Sequence, residues 1–284
     1  MIEPINSKNE PVTIIEPDTS AVPALFDSPH SGSNYPADFN TVLDHKLLRR
    51  AEDAFVDELF LAAPGFGGSL IAARFPRAYV DPNRSNLDID PTIVEGWDSA
   101  AEPSEKSRSG KGLIWTHLNG DTPLYNRELT ANEIKKRIDN YWIPYHCSVE
   151  NSLNALHQKF GHFYHINCHS MRARGNTFDP DGEAERCDFV ISDHEGKSSS
   201  PEFLNLVTSY LSSAGFKVAI NDPYKGAELT RRYSDPKTGR HSLQIEINRR
   251  LYMDEINIER SANFNDLRTH LTNLVKTICI FAKT

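Results

Sequence analysis

The sequence predicts an α/β protein built as three layers, αβα, around a mostly parallel central sheet. Short apolar runs alternate along the chain with longer segments whose apolar residues recur at helical spacing. This alternation implies a parallel sheet that is covered by helices on both faces. The chain has 284 residues, 38% of them hydrophobic, and we see no repeat or linker, so we expect one domain over residues 1–284.

The first half of the chain begins with two predicted strands, the apolar runs VTII (12–15) and PALFDS (23–28). Residues 43–63 have apolar side chains at helical spacing and end at a Pro-Gly pair, which predicts a helix. The runs GSLIAARF (68–75) and RAYVD (77–81) predict two more strands.

The second half begins after a segment, residues 81–123, that is rich in Pro, Gly, Asn and Ser and that we expect to be irregular. All of it after the DPNR run, about 85–123, is interpreted as an insertion. A long helix with a bend at Pro144 is predicted over 130–161, because Thr130 and Glu133 form a capping-box pattern at its start. The remaining predicted elements are a strand at 162–170, a helix at 200–216, a strand at 217–222, a strand within 242–253 and a final helix at about 258–282.

Composition and charge exclude several classes of protein. A formal net charge of −8 argues against nucleic acid or an anionic membrane as the partner, but it permits a small anionic substrate if cations cluster locally. No apolar run is long enough to span a membrane, and the N-terminal twenty residues lack the pattern of a secretory signal. The four cysteines show no CxxC pairing, so a reduced, cytoplasmic protein is expected.

The residues that follow strands are the candidates for chemistry, because ligands of parallel α/β sheets bind beyond the carboxyl ends of the strands. His30 follows the strand at 23–28, the segment DPNR (81–84) follows the run RAYV, and His169 ends the strand at 162–170. Two histidines and one carboxylate form a catalytic zinc site that keeps a position open for water. A zinc hydrolase is therefore one hypothesis for this sequence.

Each of these residues also has an ordinary structural explanation. His162 and His165 cannot converge with His169 on one strand, so we interpret them as structural or exposed. Glu246 alternates with the apolar residues of its strand, and it is either solvated or a buried carboxylate that needs a partner. No GxSxG, dinucleotide-binding or P-loop motif is present.

Six segments resemble, in order, the motifs of the N-formylglutamate amidohydrolase family. They are PHSGSNYP, EDAFVDELF, RFPRAYVDPNR, CHSM, NDPYKGAELTRRY and HSLQIEINRRLYMDE, and the resemblance covers most of the chain, from about residue 24 to 257. The resemblance implies a zinc-carboxypeptidase-like α/β fold. It also implies hydrolysis of N-formyl-L-glutamate to formate and glutamate, in a route of histidine breakdown.

On this basis we expect His30, Asp53 and His169 to hold one zinc ion, with water in the open position. Asp57 is the alternative carboxylate, and Asp53 is preferred because it lies nearer the expected start of the helix. Glu246 is expected to be the general base that takes a proton from water and passes it to the leaving nitrogen. Gly32 is expected to allow a tight turn next to His30.

The substrate carries two carboxylates, which calls for a local group of arginines. Arg84 with Asn83 is the first choice for the α-carboxylate, and the candidates for the side-chain carboxylate are Arg74, Arg77 and Arg232. Asn221, which opens the fifth motif, is a further candidate for substrate binding. Two alternatives stay open. One is a deacylase or carboxypeptidase for another N-acyl amino acid, and the other is a metal-free protein that binds acidic amino acids.

Overall fold

The computed structural model describes residues 10–97, 102–177, 179 and 181–284, and in these residues a seven-stranded sheet forms the centre of the molecule. We number its strands β1 to β7: Val12–Ile15, Ala24–Ser28, Ser69–Ala73, Phe163–Met171, Phe189–Ser192, Val218–Ile220 and Arg240–Asn248. Their order across the sheet is β1-β3-β2-β4-β7-β5-β6. The pairs β1/β3 and β7/β5 are antiparallel and the other four pairs are parallel, which confirms the mostly parallel sheet.

Helices cover both faces of this sheet. In chain order α1 to α8 are His45–Leu48, Val56–Leu59, Glu105–Arg108, Ala131–Arg137, Ile143–Phe160, Pro201–Ser213, Glu228–Tyr233 and Phe264–Phe281. Helix α5 packs on one face of the sheet, against β2 and β4, while α6 and α8 lie on the other face. The predicted αβα layering is therefore confirmed.

The strand periodicity explains how the two faces differ. Ile166 and Cys168 of β4, together with Ile245 and Ile247 of β7, point into the apolar core beneath α6 and α8. The residues that alternate with them on these two central strands are buried on the opposite face, and they are mostly polar: His165, Asn167, His169, Ser242, Gln244, Glu246 and Asn248. A buried polar surface on central strands needs partners. It is this surface that carries the site described below.

The helix predicted over 43–63 is wrong, because the chain leaves helical geometry between Ala51 and Val56. Helix α1 is followed by a 3₁₀ turn at Arg49–Ala51, and Phe55 has a left-handed φ of 67° just before α2. The N–H of Asp53 donates to the carbonyl of His30 at 2.9 Å rather than to a carbonyl of its own helix. A tertiary contact thus overrides the helical pattern.

Other boundaries also differ from the prediction. Residues 77–81 are a turn and not a strand, because Tyr79 N–H donates to the carbonyl of Pro76 and the segment is buried outside the sheet. The strand Phe189–Ser192 was not predicted, and the last helix begins at Phe264 rather than near 258. The helix predicted over 130–161 does begin at a capping box formed by Thr130 and Glu133, and a π-helical segment, Ile138–Trp142, joins α4 to α5.

The segment 85–123 is irregular as expected, within its described residues. It holds α3, a 3₁₀ turn at Pro91–Ile93 and isolated two-residue strands. The two-residue strands of the molecule pair as Val94–Glu95 with Leu129–Thr130, His117–Leu118 with Thr122–Pro123, and Met253–Asp254 with Glu259–Arg260. Two further 3₁₀ turns lie at Pro64–Phe66 and Pro236–Thr238, and a third, Arg249–Leu251, follows β7.

No helix in the described ranges has the length and apolarity that crossing a membrane requires. The first nine residues, which contribute to the prediction that a secretory signal is missing, lie outside the described part of the chain.

Candidate metal centre and active-site cavity

Three buried side chains, His30, Asp53 and His169, converge at the carboxyl edge of the sheet. Asp53 Oδ2 lies 3.3 Å from His30 Nδ1 and 3.1 Å from His169 Nδ1, and the two imidazole rings are 4.6 Å apart between centroids. The potential donor atoms of the three residues all lie within 4.8 Å of one another. His30 comes from the loop after β2, Asp53 from the break before α2, and His169 from within β4.

The far nitrogen of each imidazole ring is held by a buried hydrogen-bond acceptor. His30 Nε2 lies 2.7 Å from Asp81 Oδ1, and His169 Nε2 lies 2.6 Å from Asn167 Oδ1. When each Nε2–H donates to its acceptor, both Nδ1 lone pairs point at Asp53 Oδ2. In that tautomer three electron pairs converge on one point, which a cation between them would stabilise, and such outer partners are typical of metal-binding histidines.

The electrostatics of His169 and Asp53 suit metal ligands. Burial lowers the pKa of His169 to about 4, so its imidazole is neutral at neutral pH. Burial alone raises the pKa of Asp53, but its contacts with His169 and His30 and the charge of Arg77 outweigh burial and hold the pKa well below the usual range. Neutral imidazoles and an ionised carboxylate are the forms that bind a divalent cation.

Asp57, the alternative carboxylate, lies elsewhere. It belongs to α2 and lines a separate cavity of about 290 Å³, together with Ser31 and Arg74 on the other side of the His30 loop. Burial, followed by the charge of Glu58, raises the pKa of Asp57 to about 6. The structure therefore places Asp53, and not Asp57, beside the two histidines.

Gly32 fixes the His30 loop in a way that differs from the expected one. Its φ is not left-handed, so the turn itself does not demand glycine. A Cβ at this position would collide with backbone atoms of Arg74 and Phe75, at the end of β3. Close approach of two chain segments, and not a tight turn, is the reason for glycine here.

Glu246 lies on β7 directly across from His169 of β4 and is 8% exposed. Gln244 Nε2 donates to Glu246 Oε1 at 2.9 Å. Burial, followed by repulsion from the Asp53 carboxylate, raises the pKa of Glu246 to about 8. A carboxyl group of this kind exchanges protons near neutral pH, which is the property that a general base requires.

His30, Asp53, His169 and Glu246 all line one cavity of about 330 Å³. Nine basic side chains of the described residues line the same cavity, against three carboxylates, although the whole chain has a net charge of −8. The basic residues are Arg50, Arg77, Arg84, Lys106, Lys111, Arg172, Arg186, Lys225 and Arg249. The carboxylates are Asp53, Asp179 and Glu246. The cavity is thus suited to an anionic ligand.

Arg77, Asn83 and Arg84, three of the predicted substrate-binding residues, line this cavity. Arg77 is already paired with Asp81, with Nη2 at 2.9 Å from Oδ2. The Asn83 side chain connects its own loop to helix α7, since its Oδ1 accepts from Leu229 N–H at 2.9 Å. Arg84 is not within ion-pair distance of a carboxylate in the described residues, and burial lowers its pKa.

Arg74, Arg232 and Asn221 do not line this cavity. Arg74 lines the separate cavity that also holds Asp57. Arg232 lies over the ring of Trp142, with its guanidinium carbon 5.3 Å from the ring centroid. Asn221 donates to Asp193 Oδ1 at 2.7 Å and supports a turn. Their positions give no support to a role in binding substrate at this site.

Two functional candidates, Asp81 and Arg249, were not among the predicted site residues. Asp81 accepts from His30 and Arg77, while Arg249 Nη2 donates to Asp53 Oδ1 at 2.9 Å and Nε to Ser170 Oγ at 3.1 Å. Asp81 opens the DPNR segment and Arg249 directly follows β7. Both residues could have been identified as site candidates from the sequence, because each follows a buried segment. Lys106 and Lys111 come from the irregular segment, where no pattern marks them.

Behind the metal-ligand candidates lies a fully buried polar network around Asp27. Asp27 accepts from Tyr145 Oη at 2.7 Å and from Asn167 Nδ2 at 2.8 Å, and it lies 2.9 Å from His165 Nε2. His165 is therefore part of the scaffold, as the sequence suggested. Half-buried His162 contacts backbone carbonyls and lies away from the three converging residues.

Comparison with known proteins gives a consistent result. The family model described as N-formylglutamate amidohydrolase matches residues 22–253. N-formylglutamate deformylases of Pseudomonas putida and Pseudomonas aeruginosa are 26% and 27% identical to this chain, and each alignment covers 82% of this chain and 83% of the relative.

Solved structures agree with this match. The crystal structure of N-formylglutamate amidohydrolase from Ralstonia eutropha JMP134 is 42% identical, with a TM-score of 0.91, over 96% of this chain and 98% of that one. A gene product of Agrobacterium tumefaciens has a TM-score of 0.67 at 17% identity, over 95% of this chain and 96% of that chain, and shares the fold.

Proposed function

Because the chain belongs to the N-formylglutamate amidohydrolase family, we propose that it hydrolyses the amide bond of N-formyl-L-glutamate to formate and L-glutamate, with zinc as its cofactor. The convergence of His30, Asp53 and His169 beside Glu246, in a cavity rich in cations, is the observation that carries the proposal. A cytoplasmic location and a place in histidine breakdown stay predictions.

The donor set fits zinc. Two imidazole nitrogens and one carboxylate oxygen are a common protein ligand set of catalytic zinc, and the acceptors on both Nε2 atoms orient the rings toward one point. A zinc ion held by these three residues would supply Lewis acidity toward water and the formyl carbonyl. Arg249 and Arg77 contact Asp53 at 2.9 and 3.7 Å and keep that carboxylate ionised.

Glu246 performs the proton transfers in this scheme. Its carboxylate accepts a proton from the attacking water as the new C–O bond forms at the formyl carbon. It then delivers that proton to the nitrogen as the C–N bond breaks, which releases formate and the amino group of glutamate. Gln244 holds Glu246 by its hydrogen bond of 2.9 Å while the proton moves.

Arg84 binds the α-carboxylate of the substrate. Its Nη1 donates to the carbonyl of Asn83 at 2.9 Å and its Nε to the carbonyl of Lys111 at 3.3 Å. These two contacts fix the plane of the guanidinium group and leave its remaining donors for the ligand. A planar guanidinium recognises a carboxylate through paired hydrogen bonds.

The proposal is tested with purified protein, by measuring bound metal and amine release from a panel of N-formyl and N-acetyl amino acids. We expect stoichiometric zinc and the highest kcat/KM for N-formyl-L-glutamate. His30→Ala and His169→Ala should lose both zinc and turnover, while the control His162→Ala should keep both. Faster release from N-acetyl substrates would identify a different deacylase, and tight binding of acidic amino acids without turnover or zinc would identify a binding protein.

A further inference from the structure

The basic side chains of the active-site cavity fall into two groups, according to whether a carboxylate already neutralises them. Five are paired: Arg77 with Asp81, Arg249 with Asp53, Arg172 and Arg186 with Asp179, and Lys225 with Glu195. Their N···O distances lie between 2.7 and 3.1 Å. Arg50 is exposed, so water solvates its charge. The charges of these six residues are therefore already compensated, by a carboxylate or by water.

The second group is Arg84, Lys106 and Lys111. In the described part of the chain, no carboxylate lies within 4.0 Å of the charged nitrogens of these three side chains. All three side chains are half-buried. A partly desolvated cation without a partner is costly to keep in a fold. These three residues are therefore the positions at which the cavity can accept negative charge.

The two lysines line the same cavity, and the backbone hydrogen bond from Lys111 N–H to the carbonyl of Lys106 holds their main chains next to each other. Burial, together with the positive charges of Arg172 and Lys106, lowers the pKa of Lys111 to about 8 against the opposing effect of Asp179. Burial likewise lowers the pKa of Lys106. An anion placed between the two ammonium groups would relieve both effects.

The backbone holds the two lysines in place. Lys111 N–H donates to the carbonyl of Lys106 at 2.7 Å, and Arg84 Nε donates to the carbonyl of Lys111 at 3.3 Å. At Gly112 a Cβ would press against Ser107 and the carbonyl of Asp88, which shows how tightly this turn is packed. Residues 106–119 of the irregular segment thus form an ordered wall of the cavity.

We propose that Lys106 and Lys111 bind the side-chain carboxylate of the substrate and make the enzyme specific for acidic N-acyl amino acids. This inference rests on the proposed function. Arg84 cannot serve both carboxylates, because two of its donor groups already bind the carbonyls of Asn83 and Lys111. The irregular segment that supplies the lysines is then the part of the chain that determines substrate choice.

The test compares N-formyl-L-glutamate with N-formyl-L-glutamine, which has the same shape but no side-chain charge. In the double variant Lys106→Gln/Lys111→Gln, kcat/KM for the glutamate substrate should fall by at least about 100-fold, since two charged hydrogen bonds are lost and each is worth about 10- to 100-fold. The glutamine substrate should change by less than about threefold, because its side chain makes no such charged bond. The control Lys225→Gln removes a paired lysine of the same cavity and should leave the ratio unchanged. Equal losses for both substrates, or no loss, would overturn the assignment.

A binding measurement separates this inference from the proposed reaction. Calorimetry of the zinc-loaded protein with glutarate, a dicarboxylate, and with butyrate, a monocarboxylate, needs no turnover. We expect the preference for glutarate to disappear in the double variant and to persist in Lys225→Gln. If wild type releases no amine from N-formyl-L-glutamate but shows this lysine-dependent preference, the reaction is wrong and the subsite stands. A preference for glutarate that survives the double substitution refutes the subsite.

Discussion

Replacing Glu246 by glutamine should separate the catalytic role of this residue from its structural role. The Glu246→Gln substitution keeps the size of the side chain and an oxygen that accepts the hydrogen bond from Gln244, which measures 2.9 Å in the native protein. The amide that it introduces cannot accept a proton from water. We therefore expect zinc content and substrate binding to be preserved while kcat falls by roughly 10²- to 10⁴-fold, the usual contribution of general acid–base catalysis.

The structure also predicts that the same substitution, although it lowers kcat, raises the stability of the metal-free protein. Burial and then the Asp53 carboxylate raise the pKa of Glu246 from 4.5 to about 8. A raised carboxyl pKa means that the folded protein binds more protons than the unfolded chain between these two pH values, so stability is lost as pH rises through them. At neutral pH the metal-free wild type should lose on the order of 3 kcal/mol through Glu246. Metal-free Glu246→Gln should avoid this loss and be the more stable protein.

Asp179→Asn is the matched control, because it neutralises another carboxylate of the same cavity. The charges of Arg172 and Arg186 outweigh burial and lower the pKa of Asp179, so removing its charge should destabilise the protein. Its kcat should remain within about tenfold of wild type, since it transfers no proton. Urea unfolding of metal-free proteins and steady-state kinetics of zinc-loaded ones supply the data. A nearly normal kcat in Glu246→Gln would refute its role as base, and loss of zinc would make it a ligand.

Five further substitutions test separate parts of the structure. Asp53→Ala should lose zinc and turnover while Asp57→Ala keeps both, as elemental analysis and amine release will show. Arg84→Lys keeps the charge but not the planar fork, so kcat/KM should fall by about tenfold or more for N-formyl-glutamate and N-formyl-glutamine alike; unequal losses would contradict a role at the α-carboxylate. Gly32→Ala should lower the free energy of unfolding by about 1–3 kcal/mol in urea, because its Cβ overpacks the backbone at the end of β3. Burial lowers the pKa of His146 to about 4, so stability should fall by on the order of 3 kcal/mol as pH drops from about 6.5 to about 4, and His146→Gln should flatten that slope.

The part of the site that sequence could predict is the part that local rules determine. Strand β4 has the length and alternation expected, so the positions of His169 and of Glu246 on β7 follow from the side-chain period of two. The position of His30 is predicted by the end of the apolar run that forms β2. For the two histidines, a correct strand and the rule that sites lie at strand ends were enough to place them at one edge of the sheet, whereas the role expected of Glu246 came from the family resemblance.

The rest depends on contacts between segments far apart in sequence. Asp53 reaches the histidines because its N–H bonds to the carbonyl of His30, which breaks a segment whose pattern is helical. Lys106 and Lys111 face the cavity because the irregular segment folds back over it through turns that periodicity does not encode. The family resemblance led us to expect Asp53 beside the two histidines, whereas nothing in the sequence marked the two lysines as lining the cavity.

The buried polar face of the central strands explains why such a site is stable at all. Asp27 is fully buried, and burial alone raises its pKa, yet contacts with His165, Asn167 and Tyr145 outweigh burial and keep the pKa below its usual value. Asn167 donates to Asp27 through Nδ2 and accepts from His169 through Oδ1, so its amide is fixed from both ends. The orientation of His169 therefore depends on a carboxylate that never touches it. Because His169 is hydrogen-bonded to this buried network and not to solvent, its ring is already oriented before a metal binds. Such preorganisation of the ligand side chains is what the protein must contribute to a metal site.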